Sequence, residues 1–453
     1  MALFSRTPTF GTPQKPDLWR RIAYTLVLLM AFRVLTIIPV LNVDEGRLRQ
    51  LLADNPFLGV VDLFAGGEVL THFSMAAAGI FPYLLALILA QAATMTVPSL
   101  KQLKRQGERG KKRMELIAKL LTIPIAFIFA LIISKYLSLQ TGLFPGHIHW
   151  FTGSSFLASL RVVCLVTLGS LVTTWIADLI TEHGVGQGES LVLCAGACLT
   201  LATLITKSVA GASDLFHGII RLVFVLAGTV VLIIVSFLLT KAKRPIPIAE
   251  AKRQTSPRPG RNPFLNMPEL PLPLNFGGIL PVSAATGLLA LAQLAFALVR
   301  SQMGSVPGVS QDTLNVAQSQ ISSWSWLAFG LLIMLFVYIY NSTMISPQFS
   351  DDEKPIAQSL HEKGFRIPGV RPLLKTQEYL DQVITRISLL GALGTALLAA
   401  GIPYLVYRFT HQDIVVPVLT VITIVKTFDG LRDEVTAYRS MSAYDSFLRP
   451  SKR

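Results

Sequence analysis

Ten apolar stretches decide what this chain can fold into, because each approaches or exceeds the roughly 20 residues that a helix needs to cross a bilayer. They lie at residues 22–41, 73–98, 114–137, 154–181, 190–206, 216–240, 276–300, 322–346, 383–407 and 415–436. Hydrophobic residues make up 52% of the sequence and charged residues 15%, against about 25% charged residues in soluble domains. The sequence therefore predicts an all-α polytopic membrane protein.

The basic residues lie in alternate connections between these stretches. Connection 99–113 holds seven, connection 241–261 holds seven and connection 351–375 holds five, whereas 138–150 and 303–321 hold none. Lys and Arg concentrate in cytoplasmic loops, so the placement of the net charge of +14 indicates orientation in a membrane rather than a nucleic-acid-binding face. With ten spans, both termini are expected in the cytoplasm.

Three connections are longer than a simple turn requires. Residues 241–275 and 347–382 are long, basic and proline-bearing, and loops of this kind are retained when they contact something. We expect them to dock a cytoplasmic partner; the alternative is that their charges only orient the chain. The outer connection 43–72 is either an external cap or a segment folded back into the protein.

Two apolar stretches are interrupted at corresponding places. Gly79-Ile80-Phe81-Pro82 opens the main part of the second, and Gly278-Ile279-Leu280-Pro281 opens the seventh. If stretches one to five and six to ten are repeats, these positions are equivalent. Paired Gly/Pro interruptions in two five-span halves indicate a central pathway at the repeat interface.

Catalytic chemistry is not visible in the sequence. Its three cysteines lie inside apolar stretches, its seven histidines are scattered, and no nucleotide-binding or nucleophile motif appears. We expect no enzyme activity, no metal and no cofactor. Charged residues inside spans are costly and need partners, helix ends or a proton-relay role to explain them. They are Arg33, Asp178, Arg386, Lys426, Asp429 and Arg432.

Five blocks of residues, in order along the chain, resemble the SecY family of channel subunits of the bacterial protein translocase. The blocks are Phe64-Ala65-Gly66-Gly67 with Gly79-Ile80-Phe81-Pro82-Tyr83 and Gln91; Arg105-Gln106-Gly107-Glu108-Arg109-Gly110-Lys111-Lys112; Ile180-Thr181-Glu182-His183-Gly184-Val185-Gly186-Gln187-Gly188; Leu274-Asn275-Phe276-Gly277-Gly278-Ile279-Leu280-Pro281; and Gly364-Phe365-Arg366-Ile367-Pro368-Gly369-Val370-Arg371-Pro372 with Thr376 and Tyr379. The resemblance covers nearly the whole chain.

The sequence also departs from the family pattern. Leu41-Asn42 stands where Pro-Gly is usual, Leu373 where Gly is usual, and Glu189 where an apolar residue is usual. These departures indicate a divergent or accessory member, in which details of partner docking differ.

The resemblance implies ten transmembrane helices in two pseudo-symmetric, inverted five-helix halves around a central pore. It divides the chain into a cytoplasmic N-terminus (1–21), an N-terminal half (22–207), span six (208–240), a cytoplasmic loop (241–275), spans seven and eight (276–346), a cytoplasmic docking loop (347–382), spans nine and ten (383–436) and a cytoplasmic tail (437–453). The implied function is to translocate unfolded secretory polypeptides across the bacterial cytoplasmic membrane and to release membrane segments laterally into it.

By the same resemblance, a ring of apolar side chains forms the narrow point of the pore. We name the pore ring as Ile80, Leu84, Leu193, Ser283 and Ile422, with Thr423 as the alternative in span ten. A dry, deformable collar can seal around a passing chain while resisting water and ions. Without the resemblance, the same apolar side chains read as ordinary packing between helices.

The resemblance implies a plug and a lateral gate as well. The plug is expected at about residues 55–71, including Asp62, Phe64, Gly66 and Gly67. Spans two and three facing seven and eight form the gate, and Gln91 is a polar gate residue; the alternative is a satisfied interhelix contact.

Three groups of partners are implied. SecE-like and SecG-like small membrane subunits complete the channel, while the SecA motor ATPase, the ribosome or both dock at basic cytoplasmic loops. Signal sequences, nascent polypeptides and membrane lipid are its transient partners. The docking residues are Arg105, Arg109, Lys111, Lys112, Arg366 and Arg371. A different function, a secondary transporter of a small solute with inverted repeats, shares the broken helices but needs polar groups at midplane.

Overall fold

The computed structural model describes residues 18–40, 46, 66–67, 73–104, 106–139, 156–210, 215–250, 269–274, 280–303, 327–341, 360–361, 364–370, 374–402 and 418–448. Helices dominate these residues. In chain order they are α1 (Leu18–Ile37), α2 (Phe81–Thr96), the short α3 (Pro98–Lys104), α4 (Gly107–Leu139), α5 (Phe156–His183), α6 (Gly188–Ala210), α7 (Leu215–Lys241), α8 (Leu280–Met303), α9 (Leu327–Asn341), α10 (Leu374–Ala396) and α11 (Val418–Leu448).

Each predicted apolar stretch overlaps one helix, α1, α2 and α4 to α11 in order, so the predicted element type and order are confirmed. By length and composition, four described segments are long and apolar enough to cross a membrane: Met75–Thr94, Lys112–Leu137, Ser159–His183 and Glu378–Gly401. Many large apolar side chains point outward from the helices, among them Leu26 and Met30 on α1 and Leu120 on α4. A continuous apolar exterior is what a lipid-facing surface requires.

Helix α2 lies at the centre of the packing. It contacts α4 and α5 in its own half of the chain and α8 in the other half. Helix α11 packs against α6 and α7, which gives the two halves a second contact. The halves therefore meet on two sides, along α2/α4 with α8 and along α6 with α7 and α11.

The entry to α2 explains the interruption at Gly79. A short 3₁₀ helix at Met75–Ala78 packs against Gly169 of α5, and the Ser170 hydroxyl donates to the Gly79 carbonyl at 2.8 Å. Gly79 has φ 52°, a conformation that L side chains rarely adopt. Pro82 lies in the first turn of α2. Pro82 therefore removes no hydrogen bond from α2, because a first-turn residue needs no intrahelical donor.

The basic connection 99–113 is largely helical rather than a loop. It holds most of α3, and α4 begins within it at Gly107. Lys, Arg, Gln and Glu are good helix formers, so a polar composition does not itself end a helix. The helices of the ninth and tenth apolar stretches likewise extend past them: α10 begins at Leu374 and α11 continues to Leu448.

Parts of connections 241–275 and 347–382 form one small structured unit. Strand β1 (Lys243–Pro247) pairs antiparallel with β3 (Glu269–Pro273), and β2 (Ala249–Glu250) pairs with β4 (Phe365–Arg366). Beneath them lies a second apolar core, separate from that of the helices. It contains Ile246, Leu272, Ile367, Leu380, Val383, Ile384 and Ile387. The β2–β4 pairing and this core join both connections to α10.

Candidate functional site

The five residues of the predicted pore ring come from four helical segments and are all buried. Four of them are at most 1% exposed, and Ile422 is 5% exposed. Their apolar members belong to one continuous buried cluster, which also contains Val282 and Ala284 on either side of Ser283. The structure therefore brings to the shared core all five positions that the sequence analysis named.

The local structure of each helix sets these positions. Ile80 caps α2, and its carbonyl accepts the Leu84 N–H at 3.2 Å, so the two side chains lie one turn apart on the same face. Ser283 lies in the first turn of α8, where the Thr286 hydroxyl donates to its carbonyl at 2.7 Å. In α11, Ile422 and Thr423 are both buried, but only Ile422 belongs to the apolar cluster.

Leu193 is positioned by the tight turn between α5 and α6. The Val185 N–H donates to the Thr25 hydroxyl of α1 at 3.0 Å. A Cβ at Gly186 would lie 2.8 Å from a methyl of Leu431, so this glycine lets the turn approach α11. The Thr427 hydroxyl of α11 then donates to the Ser190 carbonyl at 3.2 Å. The α6 helix is thereby held between both halves.

The chain between α1 and α2 returns close to its starting point. The Val40 N–H donates to the Phe73 carbonyl at 3.1 Å, and the Met75 N–H donates to the Ile38 carbonyl at 3.0 Å. The two ends of the connection between α1 and α2 therefore lie side by side. Of the predicted plug residues, Gly66 and Gly67 are described, whereas Asp62 and Phe64 lie outside the described residues.

Gly66 and Gly67 form a turn that is wedged between α1 and α6. A Cβ at Gly66 would lie 2.7 Å from the Phe32 ring, and one at Gly67 would lie 2.8 Å from the Gly196 carbonyl oxygen. Both glycines have positive φ, 121° and 71°. Larger residues are therefore excluded by space and by backbone conformation together.

The seam between α2 and α8 depends on a glycine. The Phe81 ring of α2 occupies the space that a Cβ of Gly287 in α8 would take, and it packs against Phe129 of α4 with ring centroids 5.2 Å apart. Phe81 is 1% exposed. Sequence reasoning missed Gly287, although a glycine inside a helical stretch signals a close approach.

Gln91 has a partner on the opposite side of this seam. Its side-chain amide hydrogen-bonds the hydroxyl of Tyr340 in α9. Its own amide oxygen is buried without a hydrogen-bond partner among the described residues. The sequence analysis named Gln91 but missed Tyr340, because one sequence does not show which distant residue faces a given polar side chain.

The predicted docking residues are described only in part. Lys112 at the start of α4 and Arg366 in β4 are exposed. Arg109 and Lys111 belong to α4, but their side chains lie outside the described set, as do Arg105 and Arg371 entirely. Lys112 and Arg366 are therefore free to meet solvent or a partner.

Three of the charges inside spans have partners on other elements. Asp178 of α5 pairs with Lys119 of α4 at 2.8 Å, and Asp429 of α11 pairs with Lys241 of α7 at 2.6 Å. The Arg33 guanidinium of α1 donates to the Gly67 carbonyl at 3.3 Å. These contacts tie elements together. Arg386 and Arg432 are exposed.

Comparison with known proteins places this arrangement among protein translocase subunits. The SecY family model matches residues 74–428. The chain is similar to the protein translocase subunit SecY of Thermus thermophilus, with 28% identity over 447 residues, covering 96% of each chain.

Two solved structures share its fold. One is a protein-conducting channel, with a TM-score of 0.60 and 14% identity over 94% of this chain and 95% of the other. The second is Sec61 in a canine ribosome–channel complex from the endoplasmic reticulum, with a TM-score of 0.57, 14% identity and the same coverage. At this identity the likeness concerns the fold, ten transmembrane helices in two halves.

Proposed function

This chain belongs to the SecY family, and we propose that its pore ring is the constriction through which it conducts unfolded polypeptides across a membrane. The observation that carries the proposal is the burial of all five ring positions in one apolar core shared by both halves. An apolar constriction excludes water and ions when it is closed, yet its side chains can part around a chain of any sequence.

The Gly66–Gly67 turn is proposed as part of the plug that closes the idle pore. Its contacts on α6 are Gly196, Leu199 and Thr200, three to seven residues beyond Leu193. At about 1.5 Å of rise per residue, the turn lies about 5–10 Å along α6 from the ring, away from the α5–α6 turn. A plug segment on the outer side of the ring is supported by this placement.

The α2/α4–α8/α9 seam is proposed as the lateral gate. Phe81 against Gly287 and Gln91 against Tyr340 lie along it, one contact apolar and one polar. An apolar segment of a translocating chain gains free energy by leaving a wet pore for hydrocarbon, so it partitions outward once these contacts part.

The exposed basic residues Lys112 and Arg366 are proposed to dock cytoplasmic partners, together with Arg105, Arg109, Lys111 and Arg371. The partner is a SecA-type motor ATPase, the ribosome, or both; the solved Sec61 relative is in a ribosome–channel complex, which supports the second. SecE-like and SecG-like subunits are proposed to complete the channel. The alternation of basic connections supports both termini on the cytoplasmic side, and the bacterial SecY relative supports a bacterial cytoplasmic membrane location.

The proposal is tested with the purified complex in proteoliposomes. Given motor ATPase and ATP, we expect a secretory precursor to become protected from added protease, and protection to require a signal sequence. Saturable uptake of a small solute without any precursor protection would instead establish the secondary transporter, which needs a polar midplane site.

A further inference from the structure

Arg33 is a cation within an apolar helix, and its described contacts lead to the proposed plug. Its Nη1 lies 3.3 Å from the Thr36 hydroxyl and 3.3 Å from the Gly67 carbonyl oxygen. A charged side chain inside a membrane span is energetically costly, and such residues mark functional sites. Here the charge-assisted hydrogen bond reaches a backbone carbonyl more than thirty residues away in sequence.

Thr36 orients the guanidinium of Arg33. It lies one turn after Arg33, and its hydroxyl donates to the Arg33 carbonyl at 2.7 Å while accepting from Nη1. Thr36 is 2% exposed, and its methyl would lie 3.1 Å from a Cβ at Gly66. One side chain therefore both orients Arg33 and packs against the turn that Arg33 holds.

We propose that Arg33 is a positioning residue that latches the Gly66–Gly67 turn between α1 and α6 while the pore is closed. The inference rests on the proposed function, because the turn matters to transport only if it belongs to the plug. Opening then requires the Arg33–Gly67 hydrogen bond to break, and the turn to leave Gly196 and Phe32. In this proposal Arg33 stabilises only the closed state, through its hydrogen bonds to Thr36 and Gly67.

The test measures ion leak through idle, precursor-free complex in proteoliposomes. Arg33→Gln removes the charge and is expected to raise the leak about tenfold, a change equivalent to about 1.4 kcal/mol in the closed–open equilibrium. Arg20→Gln, at the exposed start of the same helix, is the matched control and should leak like the unaltered chain. Precursor translocation should be retained in both.

A second pair of variants covers the outcome that Arg33→Gln fails to fold. Thr36→Val keeps the shape of the side chain but loses the hydroxyl, and should raise the leak severalfold. Thr36→Ser keeps the hydroxyl and should leak less than Thr36→Val. An unchanged leak in both Arg33→Gln and Thr36→Val, in complexes of normal thermal stability, overturns the latch.

Deletion of residues 62–67 separates the two proposals. If the deletion raises the leak and Arg33→Gln does not, the plug stands and the latch is wrong. If the deletion leaves the leak unchanged, the plug assignment itself fails. If the plug is latched by Arg33, the deletion and Arg33→Gln should both raise the leak while translocation is retained.

Discussion

At the scale of single residues, the polar contact between Gln91 and Tyr340 is the clearest device of the proposed gate. Hydrogen bonds between membrane helices contribute about 0.6 kcal/mol on average. A bond of this strength holds two helices together without preventing an apolar signal helix from parting them.

Loss of this hydrogen bond should make the gate easier to open. Tyr340→Phe and Gln91→Leu should each increase translocation of a precursor with a weakened signal sequence, and the double variant should add little to either. Tyr338→Phe, two residues away in α9, is the control. Fully additive effects, or equal effects from Tyr338→Phe, would show that the pair does not act as a gate contact.

Single residues also mark where sequence reasoning ends. Arg33, Asp178 and Asp429 stood out because charges inside spans need an explanation. Their partners Lys119, Lys241 and the Gly67 carbonyl lie on other elements, and one sequence does not show which elements are neighbours. The burial of the ring positions followed from the family pattern, whereas the role of Gly287 required the coordinates.

At the scale of elements, the close approach of α2 and α8 determines whether the proposed gate is shut. Phe81 fills the space beside Gly287, so the seam has no room for a larger side chain at position 287 of α8. Overpacking of a well-packed interior costs roughly 1–3 kcal/mol. A larger residue at position 287 would therefore push α2 and α8 apart.

Gly287→Val should therefore lower the thermal stability of the closed complex and raise its idle ion leak. Phe81→Ala in the same chain should restore part of both, because it empties the space that the valine needs. Gly228→Val in α7 is the control, since nothing lies within 4 Å of a Cβ there. Equal effects of Gly228→Val and Gly287→Val would remove the special role of the α2–α8 seam.

The elements themselves were largely predictable, but their ends were not. Apolar length alone identifies the ten helices. It does not show that α4 begins inside the basic connection at Gly107 or that α11 runs to Leu448, because helix formation continues through polar residues. The strands were not foreseen, since prolines in Lys243–Pro247 and Glu269–Pro273 argue against ordinary strands.

At the scale of the whole molecule, connections 241–275 and 347–382 are joined into one platform by the β2–β4 pairing and the second core. Arg366 lies exposed within that pairing. Arg366→Glu should weaken binding of the motor ATPase or the ribosome severalfold at low salt. The loss should be smaller at high salt, because dissolved ions screen the charge at position 366 from either partner. Arg161→Glu, near the opposite end of the molecule, should bind normally. Equal loss in both variants, measured by co-sedimentation, would contradict docking at this platform.

The whole-molecule plan was predictable from charge alternation and paired Gly/Pro interruptions. The contact of the two halves along α2/α4–α8 and along α6 with α7 and α11 was not, because helix neighbours depend on packing that no single stretch of sequence contains. The proposed path of the polypeptide runs through the buried pore ring between these two sides.

Site-specific photocrosslinking to a precursor stalled in transit tests this path. With the crosslinker at Leu84, in the ring, we expect an efficient adduct to the mature part of the precursor. At Met30, whose side chain is 71% exposed on the outer face of α1, we expect no adduct. An adduct at Met30 but not at Leu84, in complexes shown to hold the stalled precursor, would show that the polypeptide does not pass through the ring.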